Sequence, residues 1–262
     1  MLLLIPPPPR STLVPYTTLF RSIEKVREEL TKNNTLRVGI NASNFLLVSG
    51  INSDGSPFGI APDLGRLFAY ELEVTPKFIV FENPGKLADA GLEGAWDIAF
   101  VGNEPQRAKD IAFSAPYLEI PVTFLVREDS LIKDLSEIDQ VGNRISVMNR
   151  SAYDLYLTAK IKHATIVRAK SIDESFEQFI HDDLEVLGGL KPRLESDCEK
   201  LPGSRVLDGQ ITSVKQSAGT LPAHEESANY LHEFIERTKA TGVVSNLIKK
   251  YNVNGVSVAP PA

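Results

Sequence analysis

Apolar and polar positions alternate along this chain between short hydrophobic runs and longer segments of helical spacing. Ile23 to Asn33 puts Ile23, Val26 and Leu30 on one face and ends in a polar Asn-Asn pair, which predicts a helix. Leu36 to Ile40 predicts a strand, with Asn41 to Phe45 as the loop at its C-terminal end. Ser53-Asp54-Gly55-Ser56-Pro57 is turn chemistry between two extended pieces. Pro62-Asp63-Leu64 opens a helix reaching about Leu72, Val74 to Phe81 is the next strand, and Pro84 to Ala90 a helix. Asp97 to Val101 is short, apolar and bounded by Gly94 and Gly102, the signature of a buried strand. This alternation of strand and helix predicts a parallel sheet covered by helices on both faces.

The pattern then repeats on a smaller scale. Val122 to Val126 is apolar and β-rich, then turns polar at Arg127-Glu128-Asp129, which reads as a crossover into a second lobe. Ile145 to Met148, Thr165 to Val167 and Leu184 to Leu187 predict strands; Ser151 to Lys160 and Ile172 to Ile180 predict the helices between them. Arg205 to Leu207 and Gln210 to Val214 form the return crossing. Ala223 to Lys239 and Val243 to Tyr251 read as helices that pack back on the first lobe. Val256 to Ala262 is expected to be a disordered tail.

Composition narrows the function classes. A chain of 262 residues, 42% hydrophobic and 24% charged, has enough apolar material for a sizeable core. A net charge of −6 without any Lys/Arg run argues against nucleic acid as a partner. The single Cys198 excludes an internal disulfide and reads as a small, partly buried side chain on a helix. No apolar run approaches the ~20 residues of a membrane span. His163, His181, His224 and His232 have no carboxylate or cysteine at metal-ligand spacing, and no nucleophile elbow or phosphate-binding glycine loop is present. No cofactor or metal is therefore expected. The first 22 residues stand apart. Met1 to Ile5 is too short for the apolar region of a signal peptide and runs into Pro6 to Pro9. Pro9 to Ser22 resembles translated sequencing-adapter read-through, so a disordered, non-native tail in place of the export signal is expected; a natural Pro-rich tail is the alternative.

The chemistry-bearing residues cluster where strands end. After the Asp97 strand, Asn103-Glu104-Pro105-Gln106 has the composition of a helix start, where free backbone N–H groups attract anions. Arg107, one turn on, can add a bidentate fork to the same anion; the alternative is a surface ion pair with Glu104 or Asp110. Ligands of open α/β sheets bind at the carboxyl ends of strands. Four such ends are Asn41 to Phe45, Phe100 to Asn103, Asn149 to Tyr153 and Leu187 to Lys191. Ser151-Ala152-Tyr153-Asp154 is a capping box that opens a helix directly after a strand. Phe100 either walls a pocket or belongs to the core.

An Asp97-Ile98-Ala99 strand, then Arg107, then Phe113-Ser114-Ala115-Pro116-Tyr117 resembles the extracellular solute-binding proteins of polar-amino-acid ABC transporters, with a match running from about Leu36 to about Val253. The resemblance implies a two-lobed α/β fold of the type II periplasmic-binding-protein kind, each lobe a mainly parallel sheet flanked by helices, with two crossover strands as hinge. Residues 23–125 plus 213–255 would form lobe 1 and residues 126–212 lobe 2. It further implies a monomer, periplasmic or extracellular, that traps a small carboxylate-bearing solute between its lobes and presents it to a membrane permease. In that family the Arg grips the ligand carboxylate, which gives Arg107 that role here. Ser151 and the N–H of Ala152 would meet the carboxylate from the opposite lobe, and Asn41, Asn44, Phe45, Phe100 and Gly102 would border the ligand. Three departures stand out. Arg150-Ser151-Ala152 replaces a common Gly-Thr-Thr, and Gly102 stands where the family has Ser or Thr. Gly188-Gly189-Leu190-Lys191 lies where it has an Asp that pairs with the ligand's α-ammonium. These favour a carboxylate without the amine, or an amine read by Asn41, Asn44 or Glu185. The alternative function is an enzyme on the same fold, similar to cyclohexadienyl dehydratases, with Glu185 as the nearby acid.

Overall fold

The computed structural model describes residues 16–262, with side chains from Ile23 onward. Residues 1–15, most of the expected tail, lie outside the described residues. Helix α1 (Tyr16–Leu30) begins at Tyr16 rather than Ile23, so part of that tail is helical. It docks through Val26 and Leu30, both fully buried. Then follow β1 (Thr35–Asn41), the two-residue strands β2 (Gly50–Ile51) and β3 (Pro57–Phe58), α2 (Ile60–Glu71), β4 (Thr75–Phe81), α3 (Pro84–Leu92) and β5 (Ile98–Gly102). The long strand β6 (Ala112–Arg127) leads to β7 (Arg144–Met148), α4 (Ala152–Lys160), β8 (Thr165–Ala169), α5 (Ile172–His181), β9 (Val186–Leu190) and α6 (Lys191–Lys200). The chain closes with β10 (Ser204–Val206), β11 (Thr212–Thr220), α7 (Glu225–Ala240), α8 (Val243–Lys250) and β12 (Ser257–Val258).

Local chemistry sets these boundaries. Asn83 caps α3 by accepting the Lys86 N–H at 2.8 Å, and Pro84 fits the first turn, where no N–H acceptor is lost. At α5 the Ser171 hydroxyl accepts the Glu174 N–H, while the Glu174 carboxylate reaches back to the Lys170 N–H. β5 is buried at all five positions, as expected of a strand covered on both faces. Gly91 is required by close approach: a Cβ there would lie 2.3 Å from the Trp96 ring, which is fully buried and donates its indole N–H to the Leu87 carbonyl.

The main sheet runs β4-β1-β5-β11-β6-β9-β7-β8. β1 is parallel to β4 and β5; β7 is parallel to β8 and β9. Between these two parallel sets lie β6 and β11, antiparallel to each other and to the strands they adjoin. The molecule thus has two halves, one built on β4-β1-β5 and one on β9-β7-β8, joined by a two-stranded ribbon. Helices cover both, and one large apolar cluster runs from Leu36 and Phe68 through Tyr117 and Phe124 to Ile145 and Val186. Burial of that apolar surface is the main stabilising term.

Two expectations need correcting. The segment after Asn103 is not a helix but a single 3-10 turn, Arg107–Lys109, because the chain turns at once into β6. The final segment is not disordered: β12 pairs with β6 at Glu119 and Leu118, and Ala259 is buried. The physical reason is edge coverage. One edge of β6 is taken by β11 and β10; the other is taken by β9 and, where β9 ends, by β12, which extends the coverage to Glu119 and Leu118. The strand expected over Leu184 to Leu187 runs instead from Val186 to Leu190 and leads into α6, whose sequence is so polar that only Leu194 and Asp197 are buried.

Candidate functional site

The carboxyl ends of β1, β5 and β7 meet between the halves around a small cleft of about 40 Å³ that opens to solvent. Arg107, Gly102, Asn41 and Asn44 line this cavity from one half; Ser151 and Ala152 line it from the other. Six of the eight residues singled out in the sequence therefore share one cavity. Phe100 and Phe45 do not border it, and these two assignments are corrected. Phe100 is 2% exposed and packs edge-on against Tyr117, with ring centroids 5.9 Å apart. Because β5 is buried on both faces, its sequence gave no alternation to tell cleft from core. Phe45 is 41% exposed and lies outside, while its neighbour Asn44 is buried in the wall.

Arg107 is the centre of the site. It is 6% exposed, and among the described residues no carboxylate forms an ion pair with it, although the Glu104 carboxyl acts on it from nearby. One Nη donates to the Gly102 carbonyl at 2.9 Å, the other across the cleft to the Arg150 carbonyl at 2.8 Å. Burial lowers its guanidinium to about 10; the carboxyl of Glu104 works against this shift and the charge of Arg150 adds to it. Burial likewise pushes Glu104 up to about 7, partly offset by Arg107. Guanidinium has five N–H donors, so two carbonyls leave capacity for an anion. Gly102 makes this geometry possible, since a Cβ there would stand 3.2 Å from the Arg107 Nη and 3.1 Å from Val214.

Facing Arg107 is the start of α4. Ser151, 4% exposed, accepts the Asp154 N–H at 3.0 Å, which makes it the N-cap. The return bond differs from a standard box: the Asp154 carboxylate takes the N–H of Arg150, not of Ser151, at 2.7 Å. The N–H groups of Ala152 and Tyr153 fall in the first helical turn, which has no intrahelical acceptor. Arg150 itself has φ of 58°, a left-handed conformation that disfavours non-glycine residues. Its bonds offset the cost. The N–H is held by Asp154, the carbonyl by Arg107, and the guanidinium forms a two-pronged pair with Asp89 on α3, at 2.6 and 2.7 Å. Arg150 therefore ties the two halves together twice.

Further wall residues complete the cavity. Gln216 and Val214 come from β11, Leu190 from the end of β9, and Tyr153 and Met148 from either side of Ser151. The Tyr153 hydroxyl is pushed up to about 12 by burial. The strand-end rule pointed to Leu190 and Tyr153, but nothing local marks Gln216. Glu185, considered as an amine or acid group, lies at the opposite end of β9 and is ion-paired with Arg144 at 2.8 Å. Among the described residues no group of three or more His, Cys, Asp or Glu could hold a metal ion, and no helix is long and apolar enough to cross a membrane.

The architecture is shared with solved structures. A cysteine-binding protein from Campylobacter jejuni superposes with a TM-score of 0.71 at 16% identity, covering 88% of this chain and 92% of that one. A mutant of ArgBP from T. maritima gives 0.70 at 19% identity, over 88% and 99% of the two chains. An ancestral amino-acid-binding protein described as a precursor of cyclohexadienyl dehydratase gives 0.69 at 21%, over 88% and 99%. These likenesses show a type II periplasmic-binding-protein fold. No curated protein matches the chain in sequence. Residues 36–254 match the model of the bacterial extracellular solute-binding proteins, family 3, and the chain belongs to that family.

Proposed function

We propose that this protein captures a small carboxylate-bearing solute, an amino acid or related organic acid, in the cleft between its halves. It acts as a monomer outside the cytoplasmic membrane and delivers the solute to the permease of an ABC importer. The observation that carries the reading is Arg107: a buried cation with only carbonyl partners, on the wall of a cavity and opposite a helix start. Burying a charge without a counter-charge is costly. An arriving carboxylate turns that cost into a charge-assisted pair. Ser151 and the first N–H groups of α4 complete the cradle, and closure of one half on the other holds the solute. The structural neighbours named for binding cysteine or amino acids support this class of cargo.

Calorimetric titration with a panel of amino acids, hydroxy acids, keto acids and dicarboxylates tests it. A carboxylate that binds the wild type should bind Arg107→Ala at least ~10-fold more weakly, since a charged hydrogen bond contributes ~1.5–3 kcal/mol. Unchanged affinity in that variant contradicts the role of Arg107. The dehydratase alternative has less support: its acid candidate, Glu185, is tied to Arg144 away from the cavity.

A further inference from the structure

We infer that the cleft selects a short aliphatic 2-hydroxy carboxylate and discriminates against the α-amino acid of the same carbon skeleton. The inference rests on the reading of Arg107 as carboxylate ligand and adds what the rest of the cavity requires.

Among the described residues lining the cavity, Arg107 is the only charged one and none is acidic. Asn41, Ser43, Asn44, Ser151 and Gln216 supply neutral dipoles. A zwitterion held at Arg107 would bury its ammonium without a carboxylate partner, a cost of several kcal/mol that neutral acceptors recover only in part. Glu104 acts on Arg107 from nearby but does not line the cavity, and the other acids around it are engaged. Asp154, 2% exposed, is held by the Arg150 N–H and by Arg168 at 2.9 Å. Asp89 pairs with Arg150, and Glu185 with Arg144. At the end of β9 the wall is the hydrocarbon of Leu190, 7% exposed.

One residue of the wall carries an unmet acceptor. The side-chain oxygen of Asn44 is buried and has no hydrogen-bond partner. Such an acceptor is satisfied by one hydroxyl proton, whereas an ammonium brings three donors and a full charge. The remaining surface, Met148, Ile172, Leu190 and Val214, is apolar and suits a short aliphatic chain. Carboxylate to Arg107, hydroxyl to Asn44 and alkyl group to Leu190 use the cavity without leaving a buried charge unpaired.

Calorimetric titration of the full chain with L-valine, L-2-hydroxyisovalerate and 2-ketoisovalerate, repeated with L-alanine against L-lactate, decides the matter. The hydroxy acid should bind at least ~10-fold more tightly than the matched amino acid, which corresponds to ~1.4 kcal/mol. In Leu190→Asp the ratio should move at least ~10-fold toward the amino acid; if that variant does not fold, the wild-type ratio still decides. An amino acid that binds as tightly as its hydroxy analogue overturns the inference, and if its binding depends on Arg107 the proposed function stands. If neither matched series binds while another carboxylate does so through Arg107, the hydroxy-acid inference alone falls. If no carboxylate of the wide panel binds, both fall.

Discussion

The two ends of β5 handle buried charge in opposite ways. At its start, Asp97 is 6% exposed and receives the Arg37 N–H at 2.6 Å and the Arg37 guanidinium at 2.6 to 3.2 Å. At its finish, Arg107 is just as buried and meets only the carbonyls of Gly102 and Arg150. The first charge is neutralised inside the chain and fastens β1 to β5. The second is bonded only to dipoles, with the Glu104 carboxyl nearby but not paired to it. A charge that the chain completes holds the fold; a charge that it leaves incomplete is available to a ligand.

The largest way to break this contrast is at the completed end. Asp97→Ala leaves Arg37 without its partner and should cost about 3 kcal/mol, a fall in Tm of about 6–12 °C by calorimetry. Affinity per folded molecule should stay the same. Arg107→Ala should do the reverse: binding weakens at least ~10-fold, while the ligand-free Tm shifts by only about 2–4 °C, because lost hydrogen bonds and relieved desolvation oppose each other. A large fall in stability there would make Arg107 a structural residue. Arg150→Ala removes a partly exposed pair between the halves; such pairs contribute about 0.2–1 kcal/mol, so affinity should fall no more than about 5-fold. The smallest effect is at Glu104. Its carboxyl is raised to about 7 in the folded protein from an ordinary 4.5. The folded state therefore holds the proton more tightly than the unfolded chain, so stability is full below about pH 4.5 and is lost as pH rises through about 7. Glu104→Gln should match the wild type at pH 4 and exceed it by about 2–4 °C in Tm at pH 8; an equal gain at both values would exclude titration as the cause.

Much of the architecture was legible because burial wrote it into the order of residues. β5 and β7 are apolar runs covered on both faces, and the helices expected from Pro84 and Ile172 start where Asn83 and Ser171 cap them, whereas the strand expected at Leu184 to Leu187 is displaced to Val186–Leu190. What escaped was decided at a distance. β12 is ordered only because β6 offers an edge at Leu118 and Glu119. The far end of β11, Gln216 to Thr220, is small and polar in sequence yet buried between β5 and β6. In the site, Arg107 and Ser151 stood out by chemistry and position. Gln216 did not, because a β-bulge after it sets which way the strand faces, and that irregularity belongs to the pairing with β6. Phe45 and Asn44 exchange inside and outside within one loop, which no strand or helix period could foresee.

The ribbon of β6 and β11 also settles how the second half is spliced into the chain. Its entry and exit meet side by side, with the Ile211 N–H bonded to the Val122 carbonyl at 2.9 Å and Thr212 opposite Val122. A tight turn is all that is needed to bridge those neighbours. The segment between them is thus a cassette: it can be lifted out or traded for a counterpart from a relative without rerouting the remaining backbone, and ligand preference can change by exchange of one wall of the cleft while the other keeps its arginine.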